Sequence, residues 1–169
     1  MSLLVPRAKR PCLMKGNEAV IEVLNDVLTG ELTAINQYFI DTKMQANWGY
    51  ERLAERTREE SMEEMRDAEA LIDRILYLDG VPNLQRLGTV RIGETVPEQL
   101  SLALEQEIFA IKRLNDGIAL CAERQDNGSR EVLEKILDGE EEHAAWLETQ
   151  LQLLKTLGET AYLAQQVKS

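Results

Sequence analysis

The sequence predicts an all-α fold in which four long helices form a bundle. Helix-forming residues such as Leu, Glu, Ala and Arg are abundant, while aromatic residues make up only 5% of the 169-residue chain. Apolar residues recur at the 3.6-residue helical period over four long stretches, and turn or capping residues separate these stretches. A chain of this length is enough for one domain with a sizeable core.

The first two predicted helices form a hairpin. The first helix spans about residues 17–45, with Asn17 as its N-cap. Residues 47–49 (NWG) interrupt the period, and a second helix then spans about residues 50–78. The Asp-Gly pair at residues 79–80 is a common helix end.

A long connection precedes the second hairpin. Residues 81–94 contain one proline and two glycines and show no sustained period. Thr95-x-x-Glu98 has the pattern of a capping box, which predicts that a third helix begins there and continues to about Arg124.

The fourth predicted helix follows a tight turn at residues 126–128. We expect Ser129 to cap this helix, which continues to about Thr156, and Gly158 to end it. Residues 159–167 are long enough for a short fifth helix. Two hairpins joined by a long crossover, with a short C-terminal helix, match the ferritin-like four-helix bundle.

Composition excludes several classes of function. The net charge of −11 argues against nucleic-acid binding and favours attraction of cations. No stretch is apolar enough to predict a membrane span. Two cysteines, Cys12 and Cys121, provide neither a disulfide framework nor a CxxC motif. We therefore predict a cytoplasmic location. The absence of CxxC also disfavours a rubrerythrin-like peroxidase.

The first 13 residues differ from the rest of the chain. They contain two prolines and three basic residues and have neither a helical period nor the apolar core of a secretory signal. We predict a basic N-terminal tail over residues 1–13, flexible on its own, and a ferritin-like domain over residues 14–169.

Each long helix carries an acid within its apolar stripe. Glu140-x-x-His143 is the most informative motif, because it contains the only histidine and lies among apolar residues of the fourth helix. Glu31 and Glu107 interrupt the stripes of the first and third helices, and Glu64 lies on the second. Taken alone, Glu64 also fits a solvated acidic run, and Glu31 and Glu107 also fit helix acids paired with basic neighbours.

The spacing of the four acids favours a common site. Glu31 and Glu64 are 33 residues apart, and so are Glu107 and Glu140. Equal intervals in two hairpins predict that the four acids converge at one level of the bundle. Converging carboxylates raise one another's pKa and need protons or cations, and two divalent metal ions would satisfy them.

From Met14 to about Gln165 the chain resembles the bacterioferritins. The segments that carry the resemblance are residues 14–16 (MKG), 31–39 (ELTAINQYF), 47–49 (NWG), 60–65 (ESMEEM), 78–85 (LDGVPNLQ), 141–143 (EEH) and 146–148 (WLE). The resemblance implies a twenty-four-subunit shell that takes up Fe(II), oxidises it with O₂ or H₂O₂ as a ferroxidase, and stores a ferric mineral. It also implies haem b bound between twofold-related subunits.

The resemblance implies a set of di-iron ligands. Those that match the family pattern are Glu31, Glu64, Glu107, Glu140 and His143. Glu64 and Glu140 would bridge the two metals. The sixth position, a histidine in the family, is Asp67 in this chain. Aspartate is a shorter and harder ligand than histidine. Three outcomes are open: Asp67 binds iron directly, binds it through a water molecule, or does not reach it. If Asp67 is ionised, five carboxylates leave one negative charge in excess over two Fe(II).

Met65 matches the haem ligand of the family. It follows Glu64 directly and so points about 100° away from the metal site around the helix. From the sequence alone, a methionine at this position is more often a packing residue. The residues that match the family's haem surroundings are Leu32, Ile35, Asn36, Phe39, Met62, Arg66, Ala68 and Leu84.

Three functional hypotheses remain from the sequence. The first is an iron-storage ferroxidase in which Asp67 is an unusual sixth ligand. The second is a haem-bearing structural subunit with an impaired centre, in a mixed shell with a catalytic sister subunit. The third is a four-helix scaffold without metal, which the four acids in register disfavour.

Overall fold

The computed structural model describes residues 15–168 and shows a bundle of four long helices followed by a short one. These elements are α1 (Glu18–Asn47), α2 (Glu51–Tyr77), α3 (Val96–Glu123), α4 (Asn127–Leu157) and α5 (Glu159–Ala164). The predicted all-α fold and the fifth helix are confirmed. The tail predicted over residues 1–13 lies outside the described residues. Within the described range, no helix has the length and apolar character needed to cross a membrane.

The predicted caps of α1 and α3 are present. The Asn17 side chain accepts hydrogen bonds from the backbone N–H groups of Ala19 and Val20. The Thr95 hydroxyl accepts one from the Glu98 N–H at 3.3 Å. Glu98 accepts from the N–H of Glu94 at 2.8 Å, so the reciprocal bond reaches one residue before the cap.

The prediction that Ser129 caps the fourth helix is wrong. α4 begins at Asn127, and Asp126 is its N-cap. The Asp126 carboxylate accepts from both the N–H and the hydroxyl of Ser129, at 3.0 and 2.9 Å. Arg74, at the end of α2, pairs with Asp126 at 2.6 Å and secures this cap. The backbone reverses at Gln125, where φ is 57°, so residues 127 and 128 belong to the helix.

The bundle contains two apolar clusters with a polar layer between them. α1 packs mainly on α2, and α3 mainly on α4. One cluster includes Leu24, Leu71 and Leu133, and the other includes Leu53 and Leu147. The acids predicted to converge lie between these clusters along every long helix. The packed core therefore fixes their positions from both ends.

The crossover, residues 78–95, is attached to one side of α1. Asn25 accepts a hydrogen bond from the N–H of Asn83 at 2.7 Å. Thr33 accepts from the N–H of Gly88 at 2.8 Å, and the Gln37 side chain accepts from the N–H of Arg91 at 2.8 Å. These polar residues recur every four or eight positions on α1, so the crossover lies along the helix and forms a wall beside the polar layer.

Candidate metal centre

The four acids and the histidine converge in the centre of the bundle. All five side chains are at most 5% exposed, although each would be charged or polar in water. They are Glu31 of α1, Glu64 of α2, Glu107 of α3, and Glu140 and His143 of α4. Equal spacing in the two hairpins thus corresponds to one buried layer.

Two overlapping groups of these residues have ligand atoms close enough to hold a metal ion. Glu64, Glu107 and His143 each offer an atom within 4.8 Å of the others. The same distance joins atoms of Glu31, Glu64 and Glu140. Glu64 belongs to both groups, which is the arrangement expected of a carboxylate between two ions.

The carboxyl groups are paired with one another, and burial favours their protonated forms. Glu31 shares a hydrogen bond with Glu64, and Glu107 shares one with Glu140. Burial, with the neighbouring acids, raises the pKa of Glu31 to about 8 and raises the pKa of Glu64 and of Glu140 well above the ordinary value. Burial also raises the pKa of Glu107.

Two carboxylate oxygens in this layer lack any hydrogen-bond partner. They are the Oε2 atoms of Glu31 and Glu64, both completely buried. A buried polar atom without a partner is costly, and native proteins rarely keep one without a reason. A cation placed between these helices would satisfy both oxygens, so the donor set fits a divalent metal ion with oxygen and imidazole ligands.

His143 is surrounded by groups that orient its ring. Its Nδ1 lies 3.1 Å from Glu107 Oε1 and 3.5 Å from Glu60 Oε2. The ring stacks on Trp146 and meets Tyr38 edge to face. Burial lowers the pKa of His143 to about 4, so the imidazole is neutral and able to ligate a metal near neutral pH.

Asp67 stands apart from both ligand groups. It lies almost one turn after Glu64 on α2 and is only half-buried. Neither of the two ligand groups contains it. Burial and the neighbouring Glu63 raise the pKa of Asp67 to about 6, and its charge in turn raises the pKa values of Glu31 and Glu140. Asp67 therefore acts electrostatically on the centre, and its role as a ligand stays a prediction.

Three neighbours of the centre were not identified from the sequence. Glu60 is buried beside His143 and pairs with Arg56, whose guanidinium lies over the Trp146 ring. The Tyr38 hydroxyl donates to Glu107. Helical spacing contained the signal, because Arg56, Glu60 and Glu64 lie four residues apart and so share one face of α2. In the sequence, this face is hidden within a run of charged residues.

Met65 lies on a different surface from the acids. Met65 is 41% exposed, and Met62, three residues earlier on the same helix, is 48% exposed. Phe39 of α1 is 60% exposed. Leu84 of the crossover is 53% exposed as well. Large apolar residues exposed together indicate a surface that is covered in an assembly or by a ligand.

Comparison with known proteins identifies relatives over most of the chain. The family model described as a ferritin-like domain matches residues 21–157. The bacterioferritin of Mycobacterium leprae is 55% identical over 152 residues, which are 90% of this chain and 96% of that protein. The bacterioferritin of Streptomyces coelicolor is 52% identical over 151 residues, 89% of this chain and 90% of that protein.

The fold comparison agrees with the sequence comparison. The solved structure of Mycobacterium tuberculosis bacterioferritin, BfrA, superposes with a TM-score of 0.90 at 54% identity. The match covers 92% of this chain and 98% of that chain. Similarity of this extent includes all four long helices and the crossover between them.

Proposed function

The chain belongs to the bacterioferritin family, and we propose that it stores iron by taking up Fe(II), oxidising it as a ferroxidase and retaining the ferric product. The ferric product would be stored inside a shell of twenty-four chains, and the oxidant would be O₂ or H₂O₂. The observation that carries the proposal is the buried layer of four carboxylates and one imidazole. Two of its oxygens lack partners and are suited to bind cations.

Charge balance supports two ions in this layer. Four ionised carboxylates and a neutral imidazole together carry the charge that two Fe(II) ions neutralise. Cations would displace the protons that the paired acids hold, so metal uptake releases protons. In this proposal Glu31, Glu64, Glu107 and Glu140 would hold the two ions through carboxylate oxygens, and His143 would supply the nitrogen ligand.

The surrounding side chains would keep the site in shape during turnover. Tyr38 fixes the Glu107 carboxylate, and stacking on Trp146 fixes the plane of the His143 ring. Rigid support of this kind holds ligands in place when ions enter or leave. Asp67 adds negative charge nearby, which attracts cations toward the α2 side of the centre.

A kinetic experiment tests the ferroxidase proposal. Purified assembled protein is loaded with Fe(II) without oxygen, mixed with air-saturated buffer, and followed by the absorbance of the ferric product. We expect a fast phase that Glu31→Gln removes and that Glu22→Gln, a charge change elsewhere on α1, leaves intact. Oxidation by the unmodified protein no faster than in buffer alone would refute the proposal.

We also propose that Met65 ligates haem b at a twofold interface. The support is that Met65 is exposed among other exposed apolar residues, on a face directed away from the acids. When bound, the haem would supply one-electron redox chemistry through an iron held by one methionine from each chain. The test is haem titration of Met65→Leu with Met62→Leu as the matched control. Loss of binding in Met65→Leu alone is the expected result.

The position of Asp67 favours a second candidate function, that of a haem-bearing structural subunit in a mixed shell. Asp67 belongs to neither ligand group, although Met65 is only two residues away and available. Mass spectrometry of shells from native cells distinguishes the two candidates. Shells built only of this chain and fully loaded with iron would exclude the second. The cytoplasmic location stays a prediction under either.

A further inference from the structure

A cavity of about 290 Å³ connects the acid layer with the exterior of the chain. Its inner end is lined by Glu31, Glu107 and Glu140, all buried, and its outer end by Thr89 and Phe109, both exposed. α1, α3 and the crossover form its walls. The cavity is therefore a passage by which small solutes reach the proposed metal centre.

Arg113 of α3 lines this passage without a close partner. Its side chain is half-buried, yet within residues 15–168 it forms neither a hydrogen bond nor an ion pair. Other arginines near the crossover are paired: Arg91 with Glu105 at 2.7 Å, and Arg86 with Asp26. The electrostatic interaction of Arg113 is with Glu31 at the inner end, whose pKa it lowers.

Gly30 of α1 leaves room for this guanidinium, because it has no side chain. A Cβ atom at Gly30 would overlap Arg113 Nη1 and lie 3.2 Å from Cζ of the same guanidinium. Glycine within a helix costs about 1 kcal/mol relative to alanine. Gly30 is thus a poor helix former that lies next to Glu31, at the position where the Arg113 guanidinium packs on α1. Any side chain at position 30 would push the guanidinium away.

We infer that Arg113 selects solutes in this passage by charge, slowing divalent cations while neutral oxidant passes. The inference rests on the proposed function, because it assumes that the acid layer binds metal ions. A dication passing about 6 Å from a unit positive charge is disfavoured roughly tenfold even at the dielectric constant of water. Neutral molecules experience no such barrier. Arg113 is thus a specificity-determining residue for the entry of iron by this route.

The test measures the rate at which Co(II), a coloured divalent cation that does not react with oxygen here, binds the assembled protein. Stopped-flow absorbance at low ionic strength is compared for the unmodified protein and three variants. We expect Arg113→Gln to bind on the order of tenfold faster. Arg113→Lys retains the charge and should stay slow. Lys112→Gln removes the same charge from the neighbouring exposed position, where Lys112 pairs with Asp116, and should also stay slow.

Salt dependence separates a charge effect from a structural one. The difference between Arg113→Gln and the unmodified protein should shrink toward zero at about 1 M salt, where the screening length is about 3 Å. Equal low-salt rates, with two Co(II) bound by each protein, would overturn the inference and leave the proposed function intact. A fast Arg113→Lys variant would also overturn it. Failure of the unmodified protein to bind Co(II) would overturn both.

Discussion

The two hairpins contribute unequal halves to one centre. The α3–α4 half supplies Glu107, Glu140 and His143, and protein groups hold it in place. Glu107 accepts from Tyr38 and contacts His143, which packs on Trp146. The α1–α2 half supplies Glu31 and Glu64, and each of these has a buried oxygen without a partner.

This difference indicates how the centre is built. Contacts with other protein groups hold Glu107 and His143 in place, whereas Glu31 and Glu64 each keep a buried oxygen that a bound cation would satisfy. His143 and Asp67 occupy equivalent positions, each three residues after a glutamate of the layer, and they differ in the same way. His143 is buried and held by its neighbours, whereas Asp67 is half-buried and outside the ligand groups. A centre of this kind would bind its ions unequally.

The largest effect is expected from Glu64→Gln, which removes the carboxylate common to both ligand groups. Affinity for Co(II) should fall by at least about 100-fold, because neither ion keeps its full set of ligands. The metal-free protein should become more thermally stable, because a buried acid is lost from a crowded layer. Calorimetric titration and thermal melting measure the two effects. The control is Glu63→Gln, at the exposed neighbouring position, which should change neither.

Substitutions at Asp67 and His143 should change the difference in metal affinity between the two halves. Asp67→His makes the two halves alike and should strengthen binding of the second ion by roughly tenfold. His143→Asp gives both halves an aspartate and should weaken binding by at least as much. Calorimetric titration with Zn(II) resolves the two steps. If Asp67→His binds the second ion no more tightly than the unmodified protein, the two halves do not differ in the way described.

The stability of the metal-free protein should depend on pH with opposite signs from the buried carboxyl groups and from His143. The pKa of Glu31 is raised from 4.5 to about 8, so the folded state retains a proton that the unfolded state loses, and stability falls as pH rises toward 8. The pKa of His143 is lowered from 6.5 to about 4, so its contribution to stability is lost as pH falls from 6.5 toward 4.

Above pH 6.5 only the carboxyl contributions remain, and they come from both hairpins. Between pH 6.5 and 8 the free energy of unfolding should decrease, and Glu31→Gln should make that decrease smaller by about 1–2 kcal/mol. Denaturant unfolding in the presence of a chelator, repeated across this range, is the measurement. The same decrease in Glu31→Gln as in the unmodified protein would mean that Glu31 is already ionised in the metal-free protein.

The smallest effect is expected from Tyr38→Phe, which removes one support of the α3–α4 half. Loss of the hydroxyl that donates to Glu107 should lower the free energy of unfolding by about 1 kcal/mol and weaken metal binding several-fold. Tyr162→Phe is matched, because that hydroxyl also binds a side chain, Gln150, but far from the acids. Equal metal affinity in the two variants would contradict a supporting role for Tyr38.

The sequence predicted the parts of this molecule that depend on periodic patterns. Helical period located the four long helices, and the equal intervals between acids placed Glu31, Glu64, Glu107 and Glu140 in one layer. Side-chain caps were predicted correctly where only one residue matched a capping pattern, as at Thr95. At the start of α4, Asp126 and Ser129 were both suitable caps, and the pairing of Asp126 with Arg74 of another helix decided between them.

Features that depend on contacts between helices were beyond the sequence. Glu60 belongs to a charged run on α2, and only packing against α4 shows that it is buried beside His143. Arg113 and Gly30 are distant in sequence and become a unit only when α3 packs on α1. The sequence identified Asp67 as unusual, but its exposure and its exclusion from the ligand groups follow from the depth of that position in the bundle.

We expect this layer to bind two divalent ions although Asp67 occupies the position of the sixth ligand. The most direct test is a titration of the purified, metal-free assembly with Fe(II) in the absence of oxygen, followed by calorimetry. We predict two Fe(II) per chain, bound in two steps of unequal affinity. One Fe(II) per chain, or none, would contradict this expectation.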